Sequence, residues 1–272
     1  MNYKKLFTSF FSVILGAYVA LIIYFYVAQH DIILHPTVLP EDHAYTYSFD
    51  YEERWFDVED GARIHAIHAK TPDSLRGVVL FIHGNAGSNE TRSERFLLFL
   101  NQGYDVVYPD YRGFGKSTGE VQNEEDLIGD MRDVYDVIKG EYGEPNVFIV
   151  GYSLGSGVAA QVAVDNDPKG LMLWTPYYSM VDMKDVRYPY LPDLILKYPL
   201  RTDKALPKIE EPITIFYAED DEVLPYLQAK RLNELLKPDD NYYVLEGQGH
   251  DNVFLHAELI GRIPSILNRQ AD

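Results

Sequence analysis

Two short stretches of this sequence could present a serine to a substrate. Residues 151–157 read GYSLGSG and residues 115–119 read GKSTG, and both fit the pattern G-x-S-x-G. A serine hydroxyl attacks a carbonyl carbon only when a base takes its proton and an acid orients that base. The pattern also demands a sharp strand-to-helix turn that exposes the hydroxyl at the end of a sheet, with small neighbours on either side. Ser153 meets the demand: Val147-Phe148-Ile149-Val150 leads in, Gly151 and Gly155 flank it, and Gly157-Val158-Ala159-Ala160 opens a helix. Ser117 has loop on both sides and does not. Nor does Gly115-Lys116-Ser117 complete a phosphate-binding loop, because Asp110 stands where the first glycine belongs and loop follows instead of helix. A dinucleotide reading of Gly155-x-Gly157-x-x-Ala160 fails as well, since the next strand ends Trp174-Thr175 without an acid.

In this type of site the chain order is serine, acid, histidine, each on the loop after a sheet strand. Of the eight histidines, His250 lies between the last expected strand and the last expected helix, in Glu246-Gly247-Gln248-Gly249-His250. The acid should follow the strand before it, where Glu219, Asp220 and Asp221 crowd one loop. Spacing alone does not separate Asp220 from Asp221, and Asp182 or Asp185, after the strand before that, is the fallback. Acyl chemistry also needs N–H donors for a developing oxyanion. The N–H of Leu154, next to the serine, is one. The N–H of Asn85, in the His83-Gly84-Asn85-Ala86-Gly87 loop after the first central strand, is the other.

The elements that must hold these residues alternate regularly. Residues 51–58 and 62–69 read as strands joined at Glu59-Asp60-Gly61, a hairpin signal. Continuous apolar runs at 77–83, 105–108, 147–150, 171–174, 213–218 and 242–245 read as buried strands. Helical patterns fall at 93–101, 123–139, 158–164, 227–236 and 253–267. That at 123–139 has Leu127, Met131, Val134, Tyr135 and Ile138 on one face, Asn123 as N-cap and Gly140 as stop. Such alternation predicts a mostly parallel sheet with helices on both faces, an α/β fold. Residues 175–211, rich in proline and tyrosine, read as an irregular lid-like insertion in which Tyr177, Tyr178, Tyr188 and Tyr190 could line an acyl pocket.

Composition narrows the classes further. The chain has 272 residues and no cysteine, which removes disulfide frameworks, thiolate metal sites and a cysteine nucleophile. Its formal charge of −18 repels phosphate backbones, so nucleic acid is not an expected partner. The serine chemistry calls for no metal and no cofactor. Residues 6–28 carry no charge, and their length exceeds the roughly 20 residues a membrane-spanning helix needs. Lys4 and Lys5 precede the run, and no further Lys or Arg occurs before Arg54. That bias predicts a single-pass anchor over residues 1–30 with a cytoplasmic N-terminus and a non-cytoplasmic domain over 31–272, periplasmic or extracellular in a bacterium. The run is too long for the apolar part of a cleaved signal peptide, and Tyr26-Val27-Ala28-Gln29-His30 is a poor cleavage site. A buried helix of the globular domain is the third reading. The reacting groups all fall within residues 83–250, so removing residues 1–28 is expected to leave the site whole.

Taken together, the motifs resemble the α/β-hydrolases, and within them the Bem46-like branch. The matching pieces are QHDIILHP at 29–36, HGNAGS at 83–88, DYRGFGKSTG at 110–119, GYSLGSG at 151–157, TPYYSM at 175–180, RYPYLP at 187–192, AEDDEVLP at 218–225 and GQGHDN at 247–252. The resemblance implies the α/β-hydrolase fold and a serine hydrolase acting on esters or thioesters, with a small-molecule or acylated substrate near the membrane. Its acid-loop pattern, G-x-x-D-x-x-V-P, registers on Pro225 and selects Asp221, although Ala218 stands where the pattern has glycine. It also makes GFGKSTG a structural loop beside the oxyanion loop. A hydrolase fold kept only for binding, or a serine peptidase, are the competing readings.

Overall fold

The computed structural model describes residues 3–90, 93–224 and 226–269. Eight strands form one sheet: β1 (Tyr51–Asp57), β2 (Arg63–Ala69), β3 (Gly77–Ile82), β4 (Tyr104–Pro109), β5 (Val147–Tyr152), β6 (Gly170–Trp174), β7 (Ile213–Ala218) and β8 (Asn241–Leu245). Their order is β8-β7-β6-β5-β3-β4-β2-β1. Only β2 runs against its neighbours β1 and β4; every other pair is parallel. Strands β3 to β7 are buried along their whole length, which is why they read as unbroken apolar runs rather than alternating ones.

Eight helices accompany the sheet among the described residues: α1 (Tyr3–Ile33), α2 (Leu97–Leu100), α3 (Glu124–Tyr142), α4 (Leu154–Ala163), α5 (Met180–Arg187), α6 (Thr202–Ala205), α7 (Tyr226–Asn233) and α8 (Ala257–Leu267). Helices α3 and α4 contribute to one apolar cluster, and α2 and α8 to a second that includes Phe81, Tyr108 and Trp174. The N-cap of α3 is the expected one: Asn123 Oδ1 accepts from the Glu125 N–H at 2.8 Å, and Asp126 answers to the Asn123 N–H. The helix runs through Gly140 and stops at Gly143, whose φ of 77° a side chain would resist. Gly140 faces open space, so its missing side chain forfeits no packing, and the Tyr142 hydroxyl fastens the last turn to Asp105 at 2.8 Å. The 175–211 segment is more regular than its composition suggests. Ser179 caps α5 by accepting from the Asp182 N–H at 3.0 Å, an S-x-x-D start signal legible in the sequence.

Helix α1 is long and apolar enough to cross a membrane from Phe7 to Ile33. Phe7 is 71% exposed and Val13 70%, which rules out the buried-helix reading for its first half. The last turns behave differently: Gln29 is buried, Ile22, Phe25 and Ile33 are half-buried, and the helix continues past residue 30 before the chain turns away. His35–Pro36 then pairs in parallel with Ala86–Gly87, directly after the glycine-rich loop that follows β3.

Candidate active site

Ser153 sits between β5 and α4 with φ 51° and ψ −119°, a left-handed conformation that non-glycine residues avoid. The turn holds because its surroundings leave no alternative. The Ser153 N–H donates to Trp174 O at 3.0 Å, and Ser156 donates to Ser153 O through its amide at 2.9 Å and its hydroxyl at 2.6 Å. A Cβ at Gly151 would fall 2.5 Å from Gly155 O, and one at Gly155 would fall 2.3 Å from Ile82 O. Both glycines are therefore required by the backbone packing of β3, β5 and α4 against one another.

His250 lies in the loop after β8 and is 6% exposed. Its Nδ1 is 2.7 Å from Asp221 Oδ2 and its Nε2 is 2.9 Å from Ser153 Oγ. An ionised carboxylate only accepts, so Nδ1–H donates to Asp221 and Nε2 is left to accept from the serine hydroxyl. The other oxygen of Asp221 accepts the N–H groups of Val223 at 2.9 Å and Leu224 at 2.8 Å, which fixes the carboxylate plane. Asp220 is exposed, and its N–H donates to Gln248 O at 2.9 Å. Glu219 is exposed too and accepts from the Gly247 N–H at 3.1 Å. Asp182 is engaged by Arg231 and Ser179, and Asp185 pairs with Lys184. The loop geometry thus brings Asp221, and not its neighbours, to His250. Pro225, on which the sequence register rests, lies outside the described residues. Glu222 was not anticipated: its Oε2 accepts the His250 N–H at 3.2 Å and packs where a Cβ at Gly249 would stand.

The loop after β3 packs beside this turn, since a Cβ at Gly84 would lie 3.5 Å from Ser153 Cβ. Asn85 and Leu154 both border the space in front of Ser153. Leu154 is the first residue of α4, so its N–H has no partner inside the helix. The Asn85 side chain donates to Ile33 O, the end of α1, at 2.8 Å, and Asn85 O accepts from the His35 N–H at 2.8 Å.

Ser117 takes no part in this hydrogen-bonded group. Its hydroxyl donates to Asp110 O at 2.8 Å and accepts from the His65 N–H at 2.9 Å, tying the GFGKSTG loop to β2. Lys116 pairs with Glu53 at 2.6 Å and lies over the Tyr45 ring, far from any phosphate role. Among the described residues no group of three or more His, Cys, Asp and Glu side chains is gathered to hold a metal ion.

A cavity of about 200 Å³ opens from Ser153 and is lined mainly by apolar side chains. Tyr177 and Tyr188 line it, but Tyr178 and Tyr190 do not. Tyr178 is covered by the Arg231 guanidinium 3.6 Å from its ring centre, and Tyr190 is half exposed. Met180, Met183 and Leu191 of the lid-like segment complete that wall. The opposite wall comes from α1, through Phe25, Gln29, Ile32 and Ile33. The pocket is therefore not confined to residues 83–250, and removal of residues 1–28 would take away Phe25. Sequence spacing gave no signal for this, because a membrane helix and a pocket wall share one apolar composition.

The chain matches a family model described as serine aminopeptidase, S33, over residues 73–199. Lysophosphatidylserine lipase ABHD12 of Macaca fascicularis is 31% identical over 186 residues, 61% of this chain and 46% of that protein. An uncharacterised protein of Mycobacterium tuberculosis is 28% identical over 202 residues, 72% of this chain and 71% of its own length. This chain thus spans about half the length of the curated lipases it matches. Among solved structures, an esterase of Pyrococcus furiosus superposes with a TM-score of 0.70 at 18% identity, covering 88% of this chain and 98% of its own. A cold-adapted esterase from an Arctic intertidal metagenome gives 0.64 at 16% identity, covering 86% and 99%. The strand order, the single reversed strand and these similarities converge on one architecture: the chain has the α/β-hydrolase fold.

Proposed function

We propose that this protein is a membrane-anchored esterase or thioesterase that works through an acyl-enzyme on Ser153. The observation that carries the reading is the hydrogen-bonded sequence Asp221–His250–Ser153 opening onto an apolar cavity. Ser153 Oγ attacks the carbonyl carbon as its proton passes to His250 Nε2. The carbonyl oxygen, now an anion, accepts from the N–H groups of Asn85 and Leu154. As the tetrahedral adduct collapses, His250 returns the proton to the leaving alcohol or thiol. Water then attacks the acyl carbon, giving its proton to His250, and the acid leaves with Ser153 restored. Asp221 keeps the imidazole in the one tautomer that serves both halves and stabilises its charged form without taking the proton.

The lipase name of the curated relatives favours substrates with a lipid acyl chain. The peptidase name of the family model is not favoured by the site, because no Asp or Glu among the described lining residues stands ready to hold a free amine. Within the superfamily the Bem46-like branch is our reading of the motifs. Residues 1–30 form the anchor, 31–272 the catalytic domain with 175–211 as its lid, and the lysines at the N-terminus favour a non-cytoplasmic domain. A fluorophosphonate probe should label the full-length protein at Ser153, and a panel of p-nitrophenyl esters and acyl thioesters should be turned over. No labelling and no turnover would leave a binding scaffold instead. Protease added to sealed cells should digest the domain, whereas digestion only after lysis would reverse the orientation.

A further inference from the structure

We infer that the last turns of α1 form the acyl-chain wall of the active site, and that the substrate is a single-chain ester entering from the bilayer along that helix. The inference rests on the esterase reading above and deepens it. Four observations converge on it.

Ile22, Phe25, Gln29 and Ile33, spaced three or four apart on one face of α1, are partly or wholly buried, and Tyr18, Tyr26 and His30 also reach the catalytic domain, at Tyr190, Lys197 and Val121. The Phe25 ring is 4.8 Å from that of Tyr188 in the lid. Gln29 is buried and saturated: its Nε2 donates to Ile195 O at 2.7 Å, and its Oε1 accepts from the Lys197 N–H at 2.8 Å. One turn after another, the helix is thus held to the lid in a fixed rotational setting. At its end Ile33 O receives the Asn85 side chain, which brings the helix terminus to the loop beside Ser153.

The cavity that starts at Ser153 lies between these two surfaces. Along its α1 wall, Phe25 to Ile33 spans about 12 Å at the rise of an α-helix. N-terminal to Phe25 the same helix exposes Ile14, Val13 and Phe10 in succession, an apolar surface that a bilayer would cover. An acyl group bonded to Ser153 therefore has one apolar course, alongside α1 toward the membrane. Two charged side chains line the cavity: Lys184 is held by Asp193 at 2.6 Å and by Leu191 O at 2.9 Å, and Arg187 is exposed at the surface. A short soluble ester would use only the Ser153 end and leave this wall empty. A long single chain fills it and buries apolar area, each methylene contributing about 0.8 kcal/mol of transfer free energy.

The test uses the full-length enzyme in detergent micelles, with p-nitrophenyl butyrate and p-nitrophenyl palmitate as the paired probes and fluorophosphonate labelling as the check on Ser153. Ile32→Trp narrows the course and should lower the palmitate-to-butyrate ratio of kcat/KM at least tenfold. Phe25→Ala widens it and should move the ratio the other way. Val137→Trp, on the exposed face of α3 and outside the cavity lining, should leave the ratio as in the wild type. If both wall variants label normally and keep the wild-type ratio, the inference is wrong while the esterase reading stands. If the wild type neither labels nor hydrolyses either ester, the esterase reading falls and takes the inference with it.

Discussion

The Asn85 side-chain amide donates to the Ile33 carbonyl at 2.8 Å, so one residue joins the loop after β3 to the end of the apolar helix. Asn85→Ala keeps the backbone N–H assigned to the oxyanion but cuts this tie. A net hydrogen bond is worth about 1 kcal/mol, so kcat for short esters should fall roughly five- to tenfold through a less well-placed donor. Asn85→Gln, which can reach the same carbonyl, should recover part of that loss. A steady-state assay on p-nitrophenyl butyrate reads both, and unchanged kcat in the alanine variant would remove the tie from the mechanism.

The two serines should separate cleanly. Ser153→Ala should abolish fluorophosphonate labelling and lower kcat by roughly five to six orders of magnitude, as loss of a triad nucleophile does. Ser117→Ala removes a hydroxyl that bridges Asp110 and His65, and should lower stability by about 1–3 kcal/mol with kcat retained in the folded fraction. Loss of turnover in a folded Ser117→Ala protein would reverse the assignment.

Asp221 and Asp220 differ by one position and by contact. Asp221→Asn should reduce kcat by about four orders of magnitude, because an amide cannot hold the proton on Nδ1. Asp220→Asn should stay within a factor of two or three. Comparable mild losses in both variants would mean that neither carboxylate orients His250.

His65 provides a pH signature outside the active site. Burial pushes its pKa below the ordinary imidazole value, against the opposing pull of Glu53 at 2.9 Å. A depressed histidine binds its proton more readily unfolded than folded. Its contribution to stability is therefore complete above about pH 6.5 and is lost as pH falls below that value. The thermal midpoint should drop between pH 7.5 and 5.5, and Glu53→Gln, which removes the opposing pull, should steepen that drop. A flat midpoint across this window in both proteins would exclude a neutral buried His65.

Much of the frame is written in local sequence. Strands β3 to β7 announce themselves as apolar runs because both of their faces are covered, and Gly151 and Gly155 mark the turn because nothing larger fits. Ser153 and His250 follow from their places after strands. Asp221 needed more, since the loop that separates it from Asp220 is decided by the Val223 and Leu224 amides, which no spacing rule encodes. Gly140 misled as a helix stop because a solvent-facing glycine is merely a weak helix former. The Ser179-x-x-Asp182 signal for α5 was present but hidden among prolines. The partnership of α1 with the pocket is tertiary in origin: it depends on Gln29 meeting Ile195 and Lys197, more than 160 positions away.

The backbone of Ser153 sets activity against endurance. Its φ of 51° carries strain of about 1–3 kcal/mol for a residue with a side chain. Glycine would relieve that strain and give back only about 0.5–1 kcal/mol in unfolded-state entropy. Ser153→Gly should therefore be inert yet melt roughly 2–4 °C higher per kcal/mol gained. The serine protein is expected to be the less durable of the two, held below its attainable melting point by the residue proposed as nucleophile. Calorimetry of the two proteins side by side decides it, and an equal or lower midpoint for the glycine variant would mean that the turn is not strained.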